Sequence, residues 1–287
     1  MAVPTTSTQT ASSTGSTTVV IAKPTGLAVG SLMVAYIVFH AGSTITMSTP
    51  SGWTSLLSNT GSTTRKLHVF TKVADSSDVA ASNFTFTTSI ASSYTLGVLV
   101  GCQGVASGSE ITASELDTGG PTASPSFTGA STPATTDSLI LMSMAGWDSD
   151  TGAISVSGYA TTPSKTWTEL ADLAVDSAAV DPFVAVASAT SGTTSQITNY
   201  SATLSASKTT VNGTIIIVRP PTNATGTNAL LSVSPTQFSQ SGSAGTTGTN
   251  ALLEVSPTMF DQSGKATSPT QWINESKANT TWTNESL

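Results

Sequence analysis

Chemistry in this chain would have to come from few side chains: two histidines, sixteen carboxylates, one cysteine and five tryptophans among 287 residues. Nucleophilic catalysis of the Ser–His–acid kind needs an imidazole base. His68 stands between two lysines in Lys66-Leu-His-Val-Phe-Thr-Lys72, and His40 closes the apolar run 31–39. The sequence has no G-x-S-x-G elbow and no H-E-x-x-H pair to give either imidazole a partner. The carboxylates crowd one region, with Asp148, Asp150, Glu169, Asp172, Asp176 and Asp181. Glycoside cleavage needs two carboxylates at a fixed separation across a cleft, and nothing in the spacing sets such a pair. Asp148-Ser-Asp150-Thr-Gly152 places oxygen ligands at alternate positions before a glycine, as a calcium loop opens. It lacks the distal bidentate glutamate, and the pattern is common in turns. Asp148 and Asp150 are therefore a weak calcium candidate, and the acidic stretch reads as solvated loops at one rim. Cys102, in Gly97-Val-Leu-Val-Gly-Cys102, reads as a small buried hydrophobe; a lone cysteine also excludes an internal disulfide. The expectation is a protein that is not an enzyme and carries no cofactor.

Trp53 and Trp167 sit in similar settings, Pro50-Ser-Gly-Trp53-Thr and Pro163-Ser-Lys-Thr-Trp167-Thr, where a proline turn delivers an aromatic onto a strand. Two equivalent positions argue for core anchors ahead of carbohydrate platforms. Seven N-x-[ST] sequons, at Asn83, Asn199, Asn212, Asn223, Asn274, Asn279 and Asn284, follow from the hydroxyl content, since serine and threonine make up 99 residues.

The elements that position these residues are strands. Charged residues are 9% of the chain against about 25% for an ordinary soluble domain. The formal charge is −7, and mean hydropathy is +0.12. Nine basic residues are too few and scattered for a nucleic-acid face. No apolar run approaches the roughly 20 residues of a spanning helix, so no membrane insertion is expected. Short apolar runs rich in Thr, Val and Ile recur between Gly, Ser, Asn and Pro, the all-β pattern. Strands are predicted near 17–22, 31–39, 44–47, 52–57, 65–73, 83–88 and 95–102. A second set is predicted near 123–130, 138–146, 153–157, 166–171, 183–189, 199–205 and 211–218. Strand 31–39 is apolar on both faces and should be central, covered by a facing sheet and by loops or a partner subunit. In strand 65–73, Leu67, Val69 and Val73 should face the core, with Lys66, His68 and Lys72 on a wet face.

The two sets read as copies. Ser31-Leu-Met-Val-Ala matches Ser138-Leu-Ile-Leu-Met, and Gly52-Trp-Thr54 matches Thr166-Trp-Thr168. Val69-Phe-Thr71 is aligned with Val184-Ala-Val186, and Thr95-Leu-Gly-Val-Leu-Val100 with Val211-Asn-Gly-Thr-Ile-Ile216. The favoured arrangement is an N-terminal arm, 1–16, followed by one sandwich, 17–220, with halves 17–105 and 123–220; two tandem sandwiches are the alternative. Beyond Arg219-Pro-Pro221 the tail 221–287 repeats a 22-residue unit, Thr227-Asn-Ala-Leu-Leu and Thr249-Asn-Ala-Leu-Leu. It then repeats a 10-residue unit, Trp272-Ile-Asn-Glu-Ser and Trp282-Thr-Asn-Glu-Ser. Leu230, Leu231, Val233, Phe238, Leu252, Leu253, Val255, Phe260, Trp272 and Trp282 recur at fixed positions. A free tail has no use for such anchors, so they are read as assembly contacts. A low-complexity tail is the alternative.

Each half runs from Gly30-Ser-Leu32 or Asp137-Ser-Leu139 through a Trp-Thr turn to Lys72-Val-Ala74 or its counterpart near 183–189. Phe84-Thr-Phe-Thr87 follows in the first half. The last apolar strands end Gly101-Cys-Gln-Gly-Val105 and Ile216-Ile-Val-Arg-Pro220. Over residues 17–220 this resembles a β-sandwich family common among tailed-bacteriophage structural proteins and prophage-encoded surface proteins. The Trp-x-Asn-Glu-Ser units are similar to short repeats at the ends of phage virion proteins. The resemblance implies an all-β, jelly-roll-like sandwich of two pseudo-repeated halves with an extended tail, and brings no catalytic residues. It implies a non-enzymatic protein on the virion exterior, a tail-fibre or tail-tip adhesin docked by its C-terminal repeats. A capsid decoration protein is the alternative, and a polysaccharide-binding or depolymerising tail protein a second one. Expected partners are further copies of itself, a trimer first, other virion proteins, and a host surface glycan or protein. The opening Met1-Ala-Val-Pro-Thr-Thr-Ser7 has no secretory-signal pattern, so synthesis in the host cytoplasm is expected.

Overall fold

Runs of β-branched residues broken by Gly, Pro and Asn fold here into fifteen strands and one short helix among the described residues. The computed structural model describes residues 3–58, 65–105, 112–117, 122–147, 152–176, 181–208 and 210–220, all within one compact unit, Met1–Thr222. In chain order the first half contains β1 (Thr5–Ser13), β2 (Ser16–Ala22), β3 (Leu32–His40), β4 (Thr54–Ser58), β5 (Arg65–Val73), α1 (Ser76–Ala80), β6 (Asn83–Ser92) and β7 (Tyr94–Gln103). The second contains β8 (Thr112–Asp117), β9 (Ser126–Ser131), β10 (Leu139–Trp147), β11 (Val156–Thr162), β12 (Thr168–Ala174), β13 (Phe183–Thr190), β14 (Ile197–Leu204) and β15 (Thr210–Val218). No helix among the described residues is long and apolar enough to cross a membrane.

The strands form four antiparallel sheets: β1-β7-β3-β5-β4, β12-β13-β10-β15-β8, β11-β14-β9 and β2-β6. The period-2 alternation of side chains sorts them into three cores. Val34, Tyr36 and Val38 of β3 meet Leu141, Ala145, Val184 and Ile216 in a central core between the two five-stranded sheets. Met33, Ala35, Ile37 and Phe39 turn the other way and pack under β2-β6 with Val19, Ile21, Phe84 and Phe86. Ile140, Met142 and Met144 of β10 likewise pack under β11-β14-β9 with Phe127, Tyr200 and Leu204. Every interior strand of the large sheets is therefore buried on both faces. Each such Val, Leu, Ile or Phe contributes about 1.5–3 kcal/mol through burial.

The duplication extends to topology. Matching sheet position and register pairs β1 with β8, β2 with β9, β3 with β10, β4 with β12, β5 with β13, β6 with β14 and β7 with β15. Even β11, which flanks β14, has a counterpart in the single bridge from Met47 to Thr88 of β6. In the interface β1 lies against β12, β7 against β13, β5 against β10 and β4 against β8. The two halves thus face each other about a pseudo-two-fold axis.

Gly97 and its equivalent Gly213 show why the copies share a glycine. A Cβ on Gly97 would stand 2.5 Å from Cδ1 of Ile21, and one on Gly213 would stand 2.5 Å from Cε2 of Phe127. In each half a glycine on the large sheet lets a bulky side chain of the small sheet settle onto the backbone.

The expected all-β sandwich of two pseudo-repeated halves is present within one compact unit, each half adding a core of its own to the one between the large sheets. Four expectations are corrected. Residues 5–13 do not form an arm outside the sandwich; they are β1, paired with β7 from Thr5↔Gln103 to Ser13↔Thr95. Strand β3 is covered on its second face by a sheet, not by loops or a partner. The face of β5 bearing His68 is not wet, because β2-β6 covers it and leaves His68 only 7% exposed. Finally, Val69 pairs with Tyr36 and Val186 with Ser143, so Val69 corresponds to Val186. The equivalence lies two residues, one full strand period, from the one read in the sequence, which preserves every side chain's face.

Candidate functional site

The two weak calcium ligands, Asp148 and Asp150, lie outside the described residues, as do all ten proposed assembly contacts of the tail: Leu230, Leu231, Val233, Phe238, Leu252, Leu253, Val255, Phe260, Trp272 and Trp282. Among the described residues no group of three or more His, Cys, Asp or Glu side chains could hold a metal ion. Cys102 is wholly buried, and desolvation pushes its thiol up to about 12, which leaves it unreactive. His40 and His68 sit on adjacent strands of one sheet. His68 packs between Phe39 and Phe70, with ring centroids 5.3 and 5.5 Å away, and its Nε2 lies 3.4 Å from Ser58 Oγ. Burial first, and the Lys66 charge second, lower it from 6.5 to about 4, so it is a neutral core imidazole at pH 7.

The cluster that gathers polar chemistry lies where β11 and β12 meet at the open edge of the second sandwich. Strand alternation would put Glu169 and Asp172, three residues apart, on opposite faces. A bulge between Glu169 and Ala171 adds one residue, so Glu169 pairs with Ala187 and Asp172 with Ala185. Ala185 faces the core under β11-β14-β9, and its strand period places Ala187, Glu169 and Asp172 on that same side. Trp167 lies just before β12, and its ring centroid is 6.4 Å from that of Tyr159 on β11, tilted 36°. Both aromatics are half-buried against the core, while Tyr159 Oη and Trp167 Nε1 have no hydrogen-bond partner among the described residues.

Asp172 ties the two strands together: its Oδ2 accepts from the Val156 N–H at 2.9 Å. Its carboxyl is nonetheless raised, because desolvation outweighs that bond. Desolvation and then the Asp172 charge raise Glu169. Burial and then the Glu169 and Asp172 charges raise the Tyr159 phenol. This is an aromatic pair flanked by two exposed carboxylates, a combination that suits a sugar ring: apolar C–H faces against the rings and hydroxyls donating to the carboxylates. Trp167, Glu169 and Asp172 were each visible in the sequence. Their convergence was not, because it depends on the bulge, and Tyr159 carried no signal of its own.

The first half handles the same positions differently. Its β4 has the same bulge, between Ser55 and Leu57, and register makes Ser55 the equivalent of Glu169 and Ser58 that of Asp172. Trp53 meets Phe84 and Phe86 edge-on, with centroids 5.9 and 5.3 Å away. The Asn212 sequon proves to be fully buried on β15. No family model, curated protein or solved structure matches this chain.

Proposed function

We propose that this chain is a non-enzymatic structural protein on the exterior of a tailed-phage virion. In this reading it is a tail-fibre or tail-tip component that attaches to the host and is docked by residues 221–287. The observation that carries the reading is the duplicated, charge-poor double sandwich. Strands buried on both faces give a body that depends little on ion pairs, while Ser and Thr dress its surface, which suits a durable extracellular scaffold. The resemblance of residues 17–220 to phage structural sandwiches supports the same class. Its partners are other copies of itself and other virion proteins, with a host glycan or surface protein at the outward end. Capsid decoration is the alternative placement, and it draws on the same features.

The test compares the full chain with a version ending at Pro220, in folding and in binding to particles that lack the protein. A shortened chain that stays folded but no longer binds supports docking through the tail. Binding as tight as that of the full chain assigns docking to the sandwich and removes the role of 221–287. Failure of both chains to bind overturns the virion reading.

A second reading, a polysaccharide-binding tail protein, is favoured by Tyr159, Trp167, Glu169 and Asp172 at one edge. Titration of host-surface oligosaccharides should quench tryptophan fluorescence in the wild type and in Trp53→Phe, but not in Trp167→Phe. Equal quenching in all three counts against that site.

A further inference from the structure

A sheet edge presents unpaired N–H and C=O groups to any strand that can reach them, and proteins ordinarily blunt such edges with bulges, charges or short strands. The two five-stranded sheets end in β1, β4, β8 and β12. Strand β4 is five residues long and breaks register between Ser55 and Leu57. Strand β12 is bulged and carries the exposed carboxylates Glu169 and Asp172. Strand β8, Thr-Ala-Ser-Glu-Leu-Asp, is six residues long and acidic in sequence. Strand β1 has none of these devices. Its nine residues, Thr-Thr-Ser-Thr-Gln-Thr-Ala-Ser-Ser, contain no charge and no proline, and their register with β7 is unbroken from end to end. None of its side chains is buried, and among the described residues its one ladder is to β7.

We propose that β1 is the docking edge for a second copy of this chain, the two β1 strands pairing antiparallel about a two-fold axis to fuse two five-stranded sheets into one. Pairing of a strand with itself brings each residue opposite its mirror partner, so any charge near the centre meets a like charge. With full overlap the pair centres on Gln9. Thr5 then stands opposite Ser13, Thr6 opposite Ser12, Ser7 opposite Ala11 and Thr8 opposite Thr10, neutral throughout and rich in the hydroxyl pairs that favour cross-strand contact. A charged peptide would find no complementary charge on this edge, which favours a second copy over an acidic or basic partner. Strand β12, which lies against β1 in the facing sheet, has the bulge and carboxylates that keep its own edge apart, so the contact stays confined to the β1 pair. The contact stands on the edge itself and not on the virion reading, and it joins copies in twos, in place of the three-fold association expected from the sequence.

The test is the solution mass of the full chain by light scattering. The wild type should give an even multiple of 28.9 kDa; a monomer, or an odd multiple, overturns the proposal. Gln9→Lys and Gln9→Glu each place like charges across the axis and should halve that mass without changing the circular dichroism. Mixing the two variants should restore it through a Lys–Glu pair. Retention of the wild-type mass by either variant, or a mixture that stays dissociated, also overturns it. Should Gln9, which is half-buried, not tolerate the changes, the exposed Thr10 takes the same two substitutions: its two copies stand diagonally across the axis, within reach of long side chains, and the same outcomes decide.

Discussion

The two halves share a topology, a bulge, a tryptophan and a glycine, yet they place their polar groups differently. In the first half the ion pair keeps some contact with water, its Lys72 and Asp78 side chains being 14% and 7% exposed. Lys72 bonds Asp78 at 2.7 Å beside α1, whose N-cap Asp75 is exposed and forms a capping box with Asp78. In the second half Lys208 and Asp181 form an ion pair at 3.7 Å with side chains 0% and 1% exposed. At the β4/β12 bulge the first half has Ser55 and Ser58 where the second has Glu169 and Asp172. Duplication supplied one packing solution twice. The second copy departs from it with buried and crowded charge, and that departure marks where function is to be sought.

The largest expected effect comes from removing one member of the buried pair. Lys208→Met takes the ammonium from a carboxylate only 1% exposed, which keeps the Gly152 N–H at 3.1 Å, and should cost about 3 kcal/mol, whereas the double change Lys208→Met with Asp181→Leu should recover most of it. In the first half Lys72→Met should cost only about 1–2 kcal/mol, because that pair is less buried, at 14% and 7% exposed, and Asp78 keeps the Asp75 N–H at 2.9 Å. Denaturant unfolding of the three variants measures this, and equal costs in both halves would remove the distinction between them.

Acid should act on the halves with opposite sign. His68, at about 4 in the folded state against 6.5 ordinarily, binds its proton more readily when unfolded. Its contribution is full above about 6.5 and is lost as pH falls toward 4, to at most roughly 3 kcal/mol. Asp75 works in the same direction. Hydrogen bonds from Ser77 Oγ, the Asp78 N–H and the Ser77 N–H hold it well below the usual carboxylate range. Glu169 and Asp172 are raised instead, so the folded second half holds those protons more tightly, and stability there grows as pH falls through their folded values. His68→Phe should flatten the loss of stability between pH 6.5 and 4. Glu169→Gln should remove part of the gain. A pH dependence unchanged by His68→Phe would mean that the imidazole titrates alike in the folded and unfolded chain.

The shared glycines rank next. Gly213→Ala drives a Cβ to 2.5, 2.6 and 2.9 Å from three atoms of the Phe127 ring. That ring is held by stacking on Tyr200 at 5.2 Å, and Tyr200 Oη donates to Gly213 O at 3.0 Å. The cost should be about 3 kcal/mol, near the upper end for overpacking. At Gly97 the obstacle is the flexible Cδ1 of Ile21, so Gly97→Ala should cost about 1 kcal/mol, and Ile21→Val should relieve it.

Much of this was legible in the sequence, and the failures share a cause. Apolar runs marked the buried strands, and the two tryptophans marked the duplication. Strands β1 and β8, which are each other's counterparts, were missed because an edge strand of Ser and Thr shows no apolar alternation to read. His68 reads as wet in the sequence because a half-buried strand and an interior strand differ only by what lies above them. The Glu169–Asp172 alignment required a bulge that leaves no mark on residue type.

The smallest effect is also the most direct test of the equivalence between the halves. Register makes Asn212 the counterpart of Leu96, one pairing with Ala145 of β10 and the other with Val38 of β3. Asn212 is fully buried, and neither Nδ2 nor Oδ1 has a hydrogen-bond partner among the described residues, while Leu96 packs in the central core. A buried amide without partners carries its full desolvation cost, about 1–3 kcal/mol. Asn212→Leu removes that cost and restores the residue the first half uses, but it adds volume to a packed layer, which takes back part of the gain. The net should be a stabilisation on the order of 1 kcal/mol, visible as a higher denaturant midpoint at unchanged slope. Leu96→Asn, the reverse exchange, should destabilise by more, since it also opens a gap in the core. If Asn212→Leu destabilises instead, the second copy has come to depend on that amide, and the central layer is not symmetric in its chemistry even where it is symmetric in its strands.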